Sequence, residues 1–171
     1  MRLQCLNGVM IVTPKGLDHL QAHPDVLDLL PEAASRIQLP EDGSFLATSV
    51  AMGRIVGDTG CVVVPETPWS GEALFAQRIG RDKASRVVVG SGTPTDLVTV
   101  LAFKGQEGDY VLVSAWIGQL AEKEPWDGSI QAGSDEEARS RAFWSRHALV
   151  HDGNVMGVPF TSSWQEVCGK E

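Results

Sequence analysis

The chain has 171 residues, 43% of them hydrophobic and 21% charged, with a formal net charge of -8. That balance is expected of one folded domain spanning residues 1–171, and it excludes a disordered polymer and a protein that coats nucleic acid without specificity. No apolar run approaches a membrane span, no leader pattern follows Met1, and Cys5, Cys61 and Cys168 lack metal-ligand spacing; the expectation is a cytoplasmic chain with free thiols and no membrane partner.

Arg2 to Val12 carries short apolar patches around the turn signal Asn7-Gly8, which fits a small hairpin or an edge strand. Thr13-Pro14 reads as a helix N-cap with proline at the first helical position. Leu17 and Leu20 give one apolar face up to His23-Pro24. Asp25 to Leu30 and Ala33 to Ile37 predict further short helices, ended by Leu39-Pro40. Beyond Gly43 the pattern turns to strands: Phe45 to Val56, Cys61 to Val64, Leu74 to Ile79, Arg86 to Val89, Leu97 to Lys104 and Tyr110 to Ile117. Gly57 to Gly60 reads as a turn between the first two. Gly105 to Gly108 is expected to close a hairpin that pairs Lys104 with Asp109 and Thr99 with Ser114, with both sheet faces covered. Leu120 to Ile130 reads as a loop. Ser134-Asp-Glu-Glu137 is a capping-box pattern opening a helix to about His147, which puts Phe143 and His147 on one face. The tail from His151 to Trp164 is rich in turns, with room for a last strand. The expected fold is α+β: short N-terminal helices, one antiparallel meander of about five or six strands, and one C-terminal helix packed on the sheet.

Sites announced by a single motif are missing. There is no P-loop, GxGxxG after a strand, HExxH, EF-hand loop or GxSxG elbow. His19 and His23 have i, i+4 spacing, but no third ligand stands near them, so no metal centre is expected. The segment Phe75 to Arg86 is the most informative: it gathers Arg78, Arg81, Lys83 and Arg86 against Asp82 within an acidic chain. Guanidinium forks match phosphate and carboxylate oxygens. His147, beside Phe143 and Trp144, is the candidate acid or base. Thr99, Ser114 and Trp116 are candidate substrate contacts on the central strands. Together these residues suit RNA cleavage by internal attack of the ribose 2′-hydroxyl. Arginines would hold the phosphate and its developing charge, and histidine would move the proton. That chemistry needs no cofactor and no metal, and it spares DNA, which lacks the nucleophile.

Short N-terminal helices followed by an antiparallel meander bearing Arg, His, Ser and Thr resemble the barnase-, EndoU- and RelE-like superfamily of ribonucleases, including phage- and toxin-associated members. Val12 to Pro24 looks like the helix that opens some of the phage-associated ones. The resemblance implies an α+β fold and metal-independent endoribonuclease activity on RNA. The blocks Ser114 to Gly118, Glu124 to Asp127 and Phe143 to Leu149 are similar to those of bacterial and phage-type proteins and carry over no activity. Two other readings stay open. A non-enzymatic acidic module of the immunity, antitoxin or counter-defence type would occupy a protein partner's basic surface, with Trp69, Trp126 and Trp164 as candidate anchors. A small-ligand enzyme would use the same arginines for a phosphate or carboxylate.

Overall fold

The computed structural model describes residues 1–21 and 24–169. Its strands are β1 (Arg2–Cys5), β2 (Gly8–Ile11), β3 (Leu46–Ala51), β4 (Gly57–Thr59), β5 (Cys61–Val63), β6 (Glu72–Gln77), β7 (Ala84–Val88), β8 (Thr93–Thr95), β9 (Leu97–Lys104), β10 (Tyr110–Ile117), β11 (His147–Val150) and β12 (Phe160–Ser163). The helices are α1 (Pro14–Gln21), α2 (Pro24–Leu27), α3 (Leu30–Ala34), α4 (Asp135–Trp144) and α5 (Trp164–Cys168). No described helix is long and apolar enough to cross a membrane.

The fold is α+β, but the strands do not form one meander. They make two five-stranded sheets, ordered β1-β2-β10-β9-β3 and β12-β6-β7-β11-β5, plus the short ribbon β4-β8. Each large sheet contains one parallel pair, β2 with β10 and β7 with β11, so neither is purely antiparallel. Two compact units result. Unit 1 comprises residues 1–59 and 94–120, and unit 2 residues 60–93 and 121–171. Consecutive strands, such as β10 and β11, serve different sheets because their partners arrive from distant segments, which local patterns do not encode.

Unit 1 begins with the expected hairpin. Cys5 opposes Gly8, leaving Leu6-Asn7 as the turn. Thr13 then caps α1, its Oγ1 accepting the Gly16 N–H at 3.1 Å. The helices lay Leu20, Val26, Leu30, Ala33 and Ala34 against Leu3, Met10, Val98, Val100, Ala102 and Leu112 on the inner sheet face. Each fully buried Leu or Val here contributes about 1.5–3 kcal/mol.

The two central strands have the bounds the sequence suggests but a different register. Lys104 pairs with Tyr110, and the Gly105 N–H donates to the Asp109 carbonyl at 2.8 Å, so the loop holds one residue more than expected. Gly108 takes φ 90°, a left-handed conformation that favours glycine. A bulge at Val113 shifts the ladder again. Ser114 therefore faces Leu101, and Thr99 faces Trp116. Nor are both faces covered: Val113 and Phe103 are exposed on the outer side.

Unit 2 is built on aromatic rings. Trp69 stacks on Trp164 with centroids 5.9 Å apart, and Phe75 meets Trp164 edge-on at 5.0 Å. Ser134 caps α4, but the Glu137 carboxylate accepts the N–H of Gly133 rather than that of Ser134. The full reciprocal capping box opens α5 instead, where Ser163 and Glu166 exchange bonds. α4 ends at Trp144, two residues before β11. The C-terminal strand β12 and helix α5 complete the unit where the sequence suggests at most a strand.

Candidate functional site

The arginine-rich segment divides by strand phase. Arg86 lies within β7, pointing inward, and only 6% of it is exposed. Its guanidinium donates to the carbonyls of Trp144 (3.0 Å), Ser145 (2.7 Å) and Pro65 (3.1 Å) and to Thr67 Oγ1 (2.7 Å). Burial pulls its pKa below the ordinary arginine value. The fork ties the end of α4 to the loop after β5, and its donors are spent on backbone oxygens, so the phosphate role expected of Arg86 does not fit this geometry.

Arg78 and Arg81 belong to the turn between β6 and β7, and the Arg81 N–H donates to the Arg78 carbonyl at 3.0 Å. Both face the loop that carries Glu124 and Asp127. Arg78 Nη2 stands 3.9 Å from Glu124 Oε2. Burial pushes the Glu124 carboxyl above its usual pKa, opposed by Ser85, Arg78 and Arg81. Ser85 Oγ is near enough to favour the charged carboxylate. Yet Ser85 Oγ, Glu124 Oε1 and Arg78 Nε all lack a hydrogen bond of normal geometry. Asp127 is held low by the Ser129 hydroxyl, and Trp126 Nε1 fixes the loop to the Ala84 carbonyl at 2.9 Å. Two of the three expected arginines thus converge, but on carboxylates. The signal available in the sequence was the Glu124-Pro-Trp-Asp127 block, whose acids stand opposite the arginines.

His147 opens β11. Its ring stacks on Phe143 at 3.9 Å, nearly parallel, and its Nδ1 meets the Phe143 carbonyl at 2.8 Å. It finishes the helix end. Its side-chain hydrogen bond and its ring stacking are both with Phe143.

In unit 1, Thr99 is 0% exposed; its Oγ1 donates to the Gly118 carbonyl at 2.6 Å and meets Ser49 Oγ at 2.8 Å. The Thr99 hydroxyl is satisfied within the fold and lines no cleft. Gly118 is closely fitted: a Cβ there would come within 2.8 Å of Thr59 Cβ. Ser114 sits half-buried on the outer face beside Leu101, and Trp116 Nε1 donates to the Gln119 carbonyl at 3.2 Å.

The tryptophans expected as surface anchors pack inward or are tied down: Trp164 is 1% exposed, Trp69 lies against it and carries the Arg141 guanidinium at 4.0 Å, and Trp126 is bonded to β7. The exposed apolar row lies elsewhere. Ile11 pairs with Val111, Val111 with Phe103, and Phe45 continues the β3 register opposite Phe103. These side chains share the outer face of the unit 1 sheet; Phe45 is 56% exposed, Phe103 46% and the neighbouring Val113 45%. Sequence patterning does not find this row, because alternating apolar residues read as a core face until the helices are seen to cover the opposite side.

Among the described residues no three His, Cys, Asp or Glu side chains gather as a metal ion requires. His23 lies outside the described residues. Comparison with protein-family models, with curated proteins and with solved structures finds no match to this chain.

Proposed function

We propose that the chain is a non-enzymatic binding module that docks on a protein partner through the outer face of the unit 1 sheet. The observation that carries this reading is the row Ile11, Val111, Phe103 and Phe45, with two aromatic rings exposed on one regular sheet face. Scattered exposed apolar residues need no explanation; a contiguous row that carries two aromatic rings is what interfaces use as anchors. The net charge of -8 favours a partner whose apolar surface is framed by basic groups, because opposite fields speed encounter. The spending of Arg86 and Thr99 on internal hydrogen bonds also supports a role without catalysis. The test compares co-purified proteins for the wild type and Phe103→Asp, with circular dichroism checking the fold. A defined partner should bind the variant about 30-fold more weakly or worse, the loss typical of an anchor residue. An unchanged affinity for that partner would refute the reading.

One observation favours the second reading, RNA cleavage: Arg78 and Arg81 stand beside a carboxyl whose pKa is raised. There Glu124 would accept the 2′-hydroxyl proton, the 2′-oxygen would bond to phosphorus as the bond to the 5′-oxygen breaks and that oxygen takes a proton from water, and the arginines would stabilise the charged phosphate. Labelled RNA incubated in EDTA should then be cut by the wild type and spared by Glu124→Gln. RNA left intact at high protein concentration removes this reading.

A further inference from the structure

β3 is the last strand of its sheet, and among the described residues no strand pairs with its outer edge. The Met52 N–H donates to the Asp96 carbonyl at 2.7 Å, so residues 52, 50, 48 and 46 address β9 with their backbone groups. Ala47, Ser49 and Ala51 consequently turn their N–H and C=O groups to the open side. Arg36 marks that side: its Nη1 donates to the Ala51 carbonyl at 2.7 Å. A groove of about 470 Å³, lined by Arg36, Ile37, Gln38 and Thr48 to Ala51, runs along this edge. Strand edges in stable proteins are commonly blunted by charge or proline. The strand Leu-Ala-Thr-Ser-Val-Ala has neither.

We propose that this edge pairs antiparallel with the same edge of a second copy of the chain, joining two five-stranded sheets into one. The chemistry of the edge is self-complementary. Arg36 closes the ladder at Ala51, which leaves Ala47 and Ser49 as the available hydrogen-bonding residues. The register that uses both in both copies sets Ala47 opposite Ser49 of the other copy and Thr48 opposite its own equivalent. Small side chains at these positions let the backbones approach to the usual spacing of about 4.8 Å. The ends of the strand carry opposite charge. Glu41 and Asp42 precede it, with Lys104 beside Gly43, while at its far end Arg54 follows it and Arg36 reaches Ala51, the two arginines sharing Glu32. Antiparallel pairing brings the acidic start of one copy to the basic end of the other. The same register puts the Phe45 and Phe103 rows of both copies on one face, with Phe45 opposite Ala51 of the other copy. The pairing does not rest on the partner-docking reading, and its test needs no third protein.

Two variants test it. Proline at position 47 removes an N–H that points away from β9, so the intact sheet tolerates Ala47→Pro while the intermolecular ladder loses a donor and its close approach. By analytical ultracentrifugation the wild type should sediment at twice the 18.4 kDa chain mass and A47P, with an unchanged circular dichroism spectrum, as a monomer. Thr48→Cys places two thiols across the two-fold axis at a non-hydrogen-bonded pair, where Cα atoms lie about 4.5 Å apart, within disulfide reach. Mild oxidation should yield a covalent T48C dimer, and Gln38→Cys, which faces the groove off the axis, should not. A monomeric wild type that also gives no T48C cross-link overturns the proposal, as does a dimer that A47P leaves intact.

Discussion

The two units solve the problem of a buried polar group in opposite ways. In unit 1 the core is one apolar layer between the sheet and α1 to α3, and the buried polar side chain on the opposite sheet face, Thr99, is bonded to both Gly118 and Ser49. In unit 2 Arg86 is buried and saturated, yet every described buried side-chain polar atom without a partner also lies there: Trp69 Nε1, Arg78 Nε, Ser85 Oγ, Glu124 Oε1, Arg141 Nε and Trp164 Nε1. Unit 1 draws its stability from apolar area and a regular ladder. Unit 2 depends on a few polar staples that hold loops to strands and carries the desolvation cost of the groups left over.

The largest expected effect breaks that contrast at its staple. Arg86→Met leaves the carbonyls of Trp144, Ser145 and Pro65 without their donor and should cost about 3 kcal/mol or more. Hydrogen exchange should show β6, β7 and β11 losing protection while β9 and β10 keep theirs. Equal losses in both sheets would mean that the units do not differ as described. Thr99→Val is the matching probe of unit 1. It removes the hydroxyl that donates to the Gly118 carbonyl and meets Ser49 Oγ, and should cost about 1–2 kcal/mol in urea denaturation. A loss as large as that of R86M would erase the distinction.

The smallest effect carries the opposite sign. Burial raises the folded-state pKa of Glu124, so the native protein holds that proton more tightly than the unfolded chain. From the ordinary carboxylate value up to the raised one, stability therefore falls as pH rises, and the deficit is complete above it. Glu124→Gln should raise the denaturation midpoint at neutral pH and flatten the profile in that window. The acid limb should persist, because Asp127, Asp42 and Glu166 are held low by hydrogen bonds from Ser129, Ser44 and Ser162 and lose that stabilisation as pH falls. A variant less stable than wild type at neutral pH would show that the Arg78 pairing outweighs desolvation.

The elements were more legible than their assembly. The Asn7-Gly8 hairpin, the Thr13 cap, the bounds of β9 and β10 and the Phe143–His147 contact all follow from spacings of one to four residues. The register of β9 and β10 did not, since a bulge at Val113 costs the sequence pattern nothing while it shifts every later pair. The site was legible in part: Arg78 and Arg81 do gather, but a list of cations does not say whether an anion already stands among them.

Composition and short-range pattern were enough to determine that this acidic chain folds into helices followed by strands, because caps, turns and alternation act over a few residues. The division of those strands between two sheets, the burial of Arg86, the placing of Arg78 beside Glu124 and the exposure of Phe45 and Phe103 were decided by tertiary structure alone. Each depends on which distant segment comes to lie alongside, and burial of area and charge between segments far apart in sequence leaves no local trace.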